Sequence, residues 1–520
     1  MIRKKKIILA LMLLSTTFPS LAQNDISWKV EMQSTNGGGK FTPLWLNANR
    51  YGLSSLEKNN GYALAGIEKP LDSDSTKRWG LGYGASMAAA YNFTSSVVVQ
   101  EAYVEGRWQK CVLSVGSKQW PMELKNNELS SGSQTFGINA RPVPQVRLAL
   151  PEYWSFAKGS LALKGYIAYG MQTDDNWQKE FTNQKSRYTE HVLYHAKAAY
   201  LRIGRPGIKR VTVELGLEHA SLFGGTSYRK WENGQLVGVK NRTGLSSFWH
   251  AFYGGGNDVG EGTYKNVEGD MLGSWVTRIN YDASSWNLGV YADHFFEDHS
   301  SMFFLDYDGY GEGDEWQEKK RHRFLLYDLK DIMLGVELNL KKCSWLRTIV
   351  AEYLYTKYQS GPIYHDHTET IPDHIGGADE YYNHGIFCGW QHWGMVMGNP
   401  LYRSPLYNDD GTIYVKNNRF IAWHFGASGS ITPYLDYRLL VTWQKGWGAS
   451  KKGWDTKNYM FPHPRRNGSL MAEATYKIAS KGVQFSAAMG LDKGTLLGDN
   501  FGVQLTATKK GIFKFKRSRK

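Results

Sequence analysis

Aromatic and polar side chains are concentrated in one long stretch, Ser360–Arg419, which has no helical periodicity. Two runs within it combine ring systems with amide, imidazole and carboxylate groups: GGADEYYNHG at Gly376–Gly385 and GWQHWG at Gly389–Gly394. The C–H face of a sugar ring stacks on Trp or Tyr, while its hydroxyl groups bond to polar side chains in a concave site. The runs therefore predict a saccharide site. Its candidate residues are Tyr381, Tyr382, Asn383, His384, Trp390, His392 and Trp393, with Arg141 from an earlier loop. The alternative is that these rings form the packing core of the loop, and both can hold together.

Other clusters of reactive side chains carry weaker signals. His365, Asp366, His367, His374 and Asp379 are residue types that bind zinc, but nothing in their spacing brings them to one face. Two groups of charged residues fall on predicted strands and could serve glycoside hydrolysis, although a hydrated or salt-bridged barrel interior explains them as well. They are Glu214, Glu218 and His219, and Glu101, Glu105 and Arg107. We predict no catalytic set, no metal site, no cofactor and no enzymatic activity.

The element that must position these residues is clearest between Phe420 and Gly448. Leu435, Tyr437, Leu439, Val441 and Trp443 alternate with mainly polar residues, and the preceding run alternates in the same way. Period-2 alternation with one apolar and one polar face is typical of an outer-membrane barrel strand. The two runs predict a hairpin that turns at Thr432–Tyr434.

The same template, applied along the chain, predicts about eighteen strands in one antiparallel transmembrane β-barrel. The predicted strands are Phe41–Gly52, Gly61–Leu71, Arg78–Asn92, Val97–Trp108, Cys111–Pro121, Val143–Leu150, Leu161–Thr173, Val192–Gly204, Arg210–Phe223, Asp270–Ser284, Trp286–Asp298, Ile332–Leu340, Arg347–Gln359, Phe420–Ile431, Leu435–Gly448, Gly468–Ala479, Gly482–Gly494 and Asn500–Phe513. Connections after even-numbered strands are short, except for Pro151–Ser160, and the long ones all follow odd-numbered strands. Long extracellular loops and short periplasmic turns have this parity. Because the long loops are rich in aromatic residues, we expect them to fold inward.

The two ends of the sequence and its composition predict a protein of the cell envelope. A basic start, an apolar run at Ile7–Leu14 and the small-residue site Ser20-Leu21-Ala22 predict a cleaved signal peptide over residues 1–22, followed by one barrel domain over 23–520. The three cysteines are widely spaced, so no disulfide framework is expected. The formal net charge of +14 is not accompanied by any nucleic-acid-binding motif. We predict the outer membrane of a Gram-negative bacterium, and no nucleic-acid partner.

Three motifs carry a resemblance to a known family. They are Asn49-Arg50-Tyr51-Gly52, the run GSQTFGINARPVPQVR at Gly132–Arg147, and the two aromatic runs in Ser360–Arg419. With these motifs the chain resembles the capsule-assembly Wzi family, in the version found in Bacteroides-type bacteria, over nearly all of its mature length. The resemblance implies an outer-membrane barrel of eighteen strands with a lectin-like, non-enzymatic role in holding capsular or exopolysaccharide at the cell surface. The long loop and the basic tail after Phe513 depart from the family pattern.

The sequence therefore predicts a monomeric outer-membrane barrel that binds capsular or exopolysaccharide and assists its assembly and attachment at the cell surface. Its partners would be the glycan, outer-membrane lipids including lipopolysaccharide, and the polysaccharide export machinery. The alternative function is a porin-like diffusion pore for small solutes.

Overall fold

The computed structural model describes residues 26–71, 78–255, 268–297, 331–359, 380–450 and 459–513, and the backbone of 305–310 and 319–326. The predicted signal peptide, the cluster His365, Asp366, His367, His374 and Asp379, and the basic tail lie outside these residues.

Eighteen strands form a single antiparallel sheet, which closes into a barrel because the first strand pairs with the last, Ile26 opposite Phe513. This confirms the predicted fold class. The barrel strands are β1 Ile26–Gly38, β2 Asn60–Lys69, β3 Trp79–Tyr91, β4 Val97–Trp108, β5 Cys111–Ser117, β6 Gln145–Phe156, β7 Leu161–Met171, β9 Leu193–Ile203, β10 Val211–Phe223, β13 Asp270–Asp282, β14 Trp286–Glu297, β17 Ile332–Leu340, β18 Thr348–Tyr355, β21 Arg419–Thr432, β22 Leu435–Gly448, β23 Arg465–Ile478, β24 Val483–Gly494 and β25 Asn500–Phe513.

The remaining elements lie in the connections between barrel strands, and all but two of the 3-10 turns, Ala157–Gly159 and Ala479–Lys481, belong to the long connections. They are the helices α1 Leu44–Asn47, α2 Asp175–Thr182 and α3 Leu245–Tyr253, the strands β8 Tyr188–Glu190, β11 Thr226–Glu232, β12 Gln235–Lys240, β15 Leu305–Tyr310, β16 Lys319–Leu326, β19 Gln391–His392 and β20 Met395–Val396, and single 3-10 turns at Ala157–Gly159, Pro405–Tyr407 and Ala479–Lys481. Among the described residues, the helices are all too short or too polar to cross a membrane.

The alternating pattern of the strands sorts their side chains between two environments. On β22, Leu439, Val441 and Trp443 point outward and are 42–43% exposed, whereas Thr442 and Gln444 point into the barrel and are buried. The outer surface is therefore an apolar belt, and aromatic side chains mark its rim at the short-turn end, as expected for a membrane barrel. These rim residues include Trp79, Trp108, Trp154, Tyr434 and Tyr476.

The first predicted strand is wrong. Residues 41–52 enter the barrel, where α1 places Leu46 against the glycines of two wall strands. A Cβ added at Gly490 would lie 2.7 Å from Leu46 Cγ, so the wall leaves space there for this helix. The true first strand is Ile26–Gly38, in which outward Val30 and Met32 alternate with inward Glu31 and Gln33.

The strand predicted at Val143–Leu150 continues to Phe156, past Pro151, with a register shift between Leu150 and Trp154. Proline, which has no backbone N–H to donate, is tolerated in a strand at such an irregularity. The turn that follows is consequently short, and the exception in the predicted parity of the connections disappears.

Four of the long connections fill the interior of the barrel, in agreement with the inward packing expected of them. The connection between β10 and β13 differs from this expectation, because its helix α3 packs against outward residues of the wall. We call residues 39–59, 118–144, 172–192 and 380–418 the plug. Trp45 Nε1 donates to Thr442 Oγ1 (3.0 Å) and Gln444 Nε2 donates to the Leu401 carbonyl (2.7 Å), so plug segments bond to inward side chains of β22. The largest buried cluster of apolar residues combines the plug with the inner wall.

Polar bonds also fasten the plug to the wall. Lys125 Nζ lies 2.9 Å from Asp293 Oδ2 on β14, and both side chains are almost completely buried. Glu352 on β18 accepts hydrogen bonds from Ser130 Oγ (2.5 Å) and from the backbone N–H of Ser131 (2.8 Å). Because buried charges are costly unless they are paired and hydrogen-bonded, these contacts fix one position of the segment 118–144.

Candidate functional site

The described parts of the three family-like motifs meet inside the barrel. Backbone N–H groups of Tyr51 and Gly52 donate to the carbonyls of Ile138 (2.6 Å) and Asn139 (3.0 Å). Asn139 Nδ2 in turn donates to the Val396 carbonyl (3.0 Å), which follows the GWQHWG run. The residues that the sequence singled out therefore form the contact between separate plug segments.

Tyr381 and Tyr382 are fully buried in the plug. Tyr381 donates its hydroxyl to Asp331 Oδ2 (2.9 Å), and its ring packs edge-on against Phe295 at 4.5 Å between centroids. Tyr382 stacks on Tyr402 with centroids 4.0 Å apart and donates to the Gln134 carbonyl. Burial raises the pKa of the Tyr382 hydroxyl well above its ordinary value. In this geometry both rings pack within the protein and have no face free for a sugar.

Trp390, Asn383 and His384 also hold the plug together. Trp390 is 1% exposed, donates Nε1 to the Thr135 carbonyl (2.9 Å) and stacks near Tyr194. The Asn383 amide makes two bonds to the backbone of Val415, at 2.8 and 3.0 Å. His384 is only partly buried, and its Nδ1 accepts from the N–H of Ile386 (3.1 Å). The alternative reading, a packing core, therefore describes Tyr381, Tyr382 and Trp390 in this structure.

Three of the predicted residues lie together, as a single binding site would require: Arg141, His392 and Trp393. The Arg141 guanidinium lies over the Trp393 ring, 4.3 Å from its centroid, and Trp393 is partly exposed. Burial lowers the pKa of Arg141 to about 10, so it stays charged at neutral pH. Burial also lowers the pKa of His392. Since His392 Nε2 accepts from the Thr173 N–H (3.1 Å), its proton lies on Nδ1, which donates to the Arg141 carbonyl (2.8 Å).

A pocket with a cavity volume of about 90 Å³, partly open to solvent, lies between the plug and the inner wall. Its lining is dominated by aromatic and charged side chains. It includes Tyr51, Lys118, Trp120, Glu123, Phe136, Arg141, Arg147, Tyr166, Tyr194, Tyr200, Glu218 and Trp390. An aromatic concavity with a few charged groups is the common form of a saccharide or other small-ligand site.

Arg147 is the distinctive residue of this pocket. Its guanidinium carbon lies 4.0 Å from the ring centroid of Trp120 and 3.4 Å from that of Tyr166, so aromatic rings hold it on two sides. Its Nε is buried without a hydrogen-bond partner, and within the described ranges no carboxylate forms a salt bridge with it. A planar guanidinium held in this way is available for a carboxylate, sulfate or phosphate group of a ligand.

Other charged side chains around the pocket have polar partners within the protein. Lys118 Nζ lies 2.7 Å from Glu105 Oε2, and Lys164 pairs with Glu123. Glu218 accepts a hydrogen bond from the Tyr200 hydroxyl (2.8 Å). The sequence placed Glu105 and Glu218 in a charged interior, and that is where they lie. His219, grouped with Glu218 in the sequence, instead points to the outer face.

The site residues predicted from the sequence do not include Arg147, Trp120 or Tyr166. Arg147 ends the Gly132–Arg147 motif and alternates with outward Val146 and Leu148, so its inward direction could be read from the pattern. Its position between two rings from other segments could not. Among the described residues, no cluster of His, Cys, Asp and Glu could hold a metal ion.

Comparison with known proteins supports the fold. No protein-family model matches the chain, and no curated protein sequence does. Among solved structures, the chain is similar to Wzi of Escherichia coli, described as a carbohydrate-binding β-barrel of the outer membrane involved in group 1 capsule assembly; the TM-score is 0.53 at 12% identity, over 97% of this chain and 87% of that one. Weaker matches are OprD of Pseudomonas aeruginosa (TM-score 0.43, 11% identity, 94% of this chain and 96% of that one) and OccAB4 of Acinetobacter baumannii (0.43, 10%, 95% and 100%).

At this level of identity the similarity to Wzi establishes the fold. The resemblance inferred from the sequence motifs is thereby confirmed as a resemblance of fold.

Proposed function

We propose that this protein is an outer-membrane barrel that binds an acidic surface polysaccharide and helps to attach it to the cell. The observation that carries the proposal is the charged Arg147 side chain, held between Trp120 and Tyr166 in an aromatic pocket and lacking a described carboxylate partner. Arginine forms paired hydrogen bonds with carboxylate, sulfate or phosphate groups, and aromatic walls suit the apolar faces of sugar rings.

The plug supports binding rather than transport. Its four segments fill the interior of the barrel with buried side chains, many of them aromatic, that pack against the inner wall. The carbohydrate binding described for Wzi, which has a similar fold, is consistent with this role. No step of the proposal requires catalysis or a cofactor.

The predicted saccharide residues take two roles in the proposal. Tyr381, Tyr382, Asn383 and Trp390 position the plug, and Trp390 also lines the pocket. Arg141 and Trp393, whose side chains stack on each other, are the part of the predicted set through which the glycan would make further contact. His392 is buried and bonds to the Arg141 carbonyl, so it positions Arg141, and His384 is partly exposed. The apolar outer belt suits an outer membrane containing lipopolysaccharide. A cleaved signal peptide, a monomeric state and delivery of glycan by export machinery complete the proposal.

Binding to purified protein tests the site. We expect Arg147→Gln to reduce affinity for a uronic-acid oligosaccharide by about tenfold or more, since a hydrogen bond to a charged group contributes ~1.5–3 kcal/mol. Arg147→Lys should retain part of the affinity, and Arg205→Gln, in the short turn between β9 and β10, should have no effect. Calorimetry with acidic and neutral oligosaccharides measures the difference. Equal affinity in Arg147→Gln and the unaltered protein would contradict this site.

Capsule partition tests the function in cells. Deleting the gene should increase polysaccharide in the culture medium at unchanged total synthesis, and complementation with the unaltered chain should restore retention. If retention does not change on deletion, surface attachment is not the function.

A further inference from the structure

Helix α3, Leu245–Tyr253, lies against the outside of the barrel. Tyr169 on β7 belongs to the row of outward side chains that includes Leu163 and Ile167, which are 41% and 42% exposed. Its hydroxyl donates to the Phe248 carbonyl of the helix (2.9 Å). Outward Phe223 on β10 packs edge-on against the Phe248 ring at 5.1 Å. The helix therefore covers part of the outer wall and does not enter the plug.

The wall beneath the helix is unusually polar for an outer barrel face. His195 and Lys197 on β9 and His219 on β10 occupy outward positions, in register with Ile203 and Leu215, which are exposed. His195 and His219 are almost fully buried, and the Lys197 ammonium lies 4.3 Å from the Phe252 ring centroid. Histidine and lysine are unfavourable in contact with lipid. The Phe252 ring of the helix, whose centroid lies 5.8 Å from that of the His195 ring, shields His195 and Lys197 from the surroundings.

The opposite side of the helix is apolar and uncovered. Leu245, Trp249 and Tyr253 follow each other at intervals of four residues and are 85%, 64% and 61% exposed. Side chains at this spacing share one face of a helix. The helix thus has apolar side chains both toward the wall and away from it, as a helix buried on all sides has.

We propose that α3 is embedded in the outer-leaflet lipid, with Leu245, Trp249 and Tyr253 in contact with acyl chains near the headgroup boundary. The covered patch adjoins the lipid-facing belt directly, because the outward neighbour of Lys197 on β7 is the exposed Ile167. The helix takes the place of the polar wall as the surface that lipid meets. Trp and Tyr favour this interfacial depth. Exposed Lys240 and Arg242, just before the helix, would meet headgroup phosphates.

Spin-label accessibility tests the proposal in purified barrel reconstituted into vesicles that contain lipopolysaccharide. In a chain with Cys111, Cys343 and Cys388 replaced by Ser, a nitroxide is attached at Trp249→Cys or Leu245→Cys. Two further positions serve as references: Val290→Cys on the outward face of β14, and Trp231→Cys on the exposed β11–β12 hairpin of the same connection. Collisions with oxygen report contact with lipid, and collisions with a water-soluble nickel complex report contact with water.

We expect labels at 245 and 249 to show the high oxygen and low nickel accessibility of position 290. Values like those of position 231 would overturn the proposal, as would low accessibility to both reagents, which would indicate contact with another copy of the chain. Heat-dependent gel mobility identifies any variant that has not folded; for such a position, Tyr253→Cys supplies the same comparison.

Discussion

Arg147 shows how its surroundings prepare one side chain for the binding role that we propose. A surface arginine is hydrated and mobile, but the rings of Trp120 and Tyr166 restrict this guanidinium, and its buried Nε has no hydrogen-bond partner among the residues that the structure describes. Restricting a charged group before its ligand arrives reduces the entropy lost on binding. The same rings exclude water, which strengthens the bond to an anionic group.

Cys388 offers a test of plug packing at a single residue. It is buried in a cluster with Trp177, Tyr188 and Ile413, and burial raises the pKa of its thiol to about 11. At pH 8 roughly one thiol in a thousand would be ionised, and the thiolate is the reactive form. We expect the folded protein to alkylate at Cys111 and Cys343 only, with a third site after denaturation, measured by intact-protein mass spectrometry.

The control is Cys388→Ser, which should remove the third site alone. Rapid alkylation of Cys388 in the folded protein at pH 8 would mean that this part of the plug opens readily.

Among the elements, the segment 118–144 is held in place by buried polar contacts with the barrel wall. Glu352 accepts from Ser130, Ser131 and the Tyr291 hydroxyl (2.5 Å). We expect Glu352→Ala to leave the barrel assembled and to loosen this segment, because each buried donor left unpaired costs about 1–3 kcal/mol. Hydrogen exchange should rise over residues 126–135.

Glu232→Ala, in the exposed β11–β12 hairpin, is the matched control and should leave exchange in the plug unchanged. Unaltered protection over 126–135 in Glu352→Ala would show that the other contacts of the segment hold it without Glu352.

On the scale of the whole molecule, the closed sheet and the packed plug together determine what can cross the barrel. A barrel of eighteen strands is wide enough for an aqueous channel when its interior is empty. Here the plug occupies that interior, so the unaltered protein should show no large steady conductance steps in planar bilayers. Replacing residues 119–139 by a short Gly/Ser linker should produce such steps.

Replacing the exposed tip of the β11–β12 hairpin should leave conductance low. Large steps from the unaltered protein would contradict the closed interior and favour the diffusion pore as its function.

The sequence by itself determined the barrel. Alternation of apolar and polar residues indicates which face of a strand contacts lipid, and it is a local property of each strand. The hairpin at Phe420–Gly448 and most other strands could therefore be predicted. Two errors also have local causes. The strand Ile26–Gly38 was missed because charged and polar residues occupy its inward positions. The strand at Phe41–Gly52 was predicted wrongly because the apolar residues there, which pack in the plug, resemble those of a strand. The saccharide residues in the loop were identified by composition, which does not distinguish a ring that binds a ligand from one that packs.

Only the tertiary structure decided which rings are covered, because burial depends on segments far apart in the chain. Tyr382 is covered by the Tyr402 ring and bonded to the Gln134 carbonyl, whereas Arg147 lies between Trp120 and Tyr166 and lines a pocket. The position of α3 outside the barrel likewise follows from contacts with β7, β9 and β10 that no local pattern encodes. A period in the sequence specifies the direction of a side chain, and long-range packing specifies what it meets there.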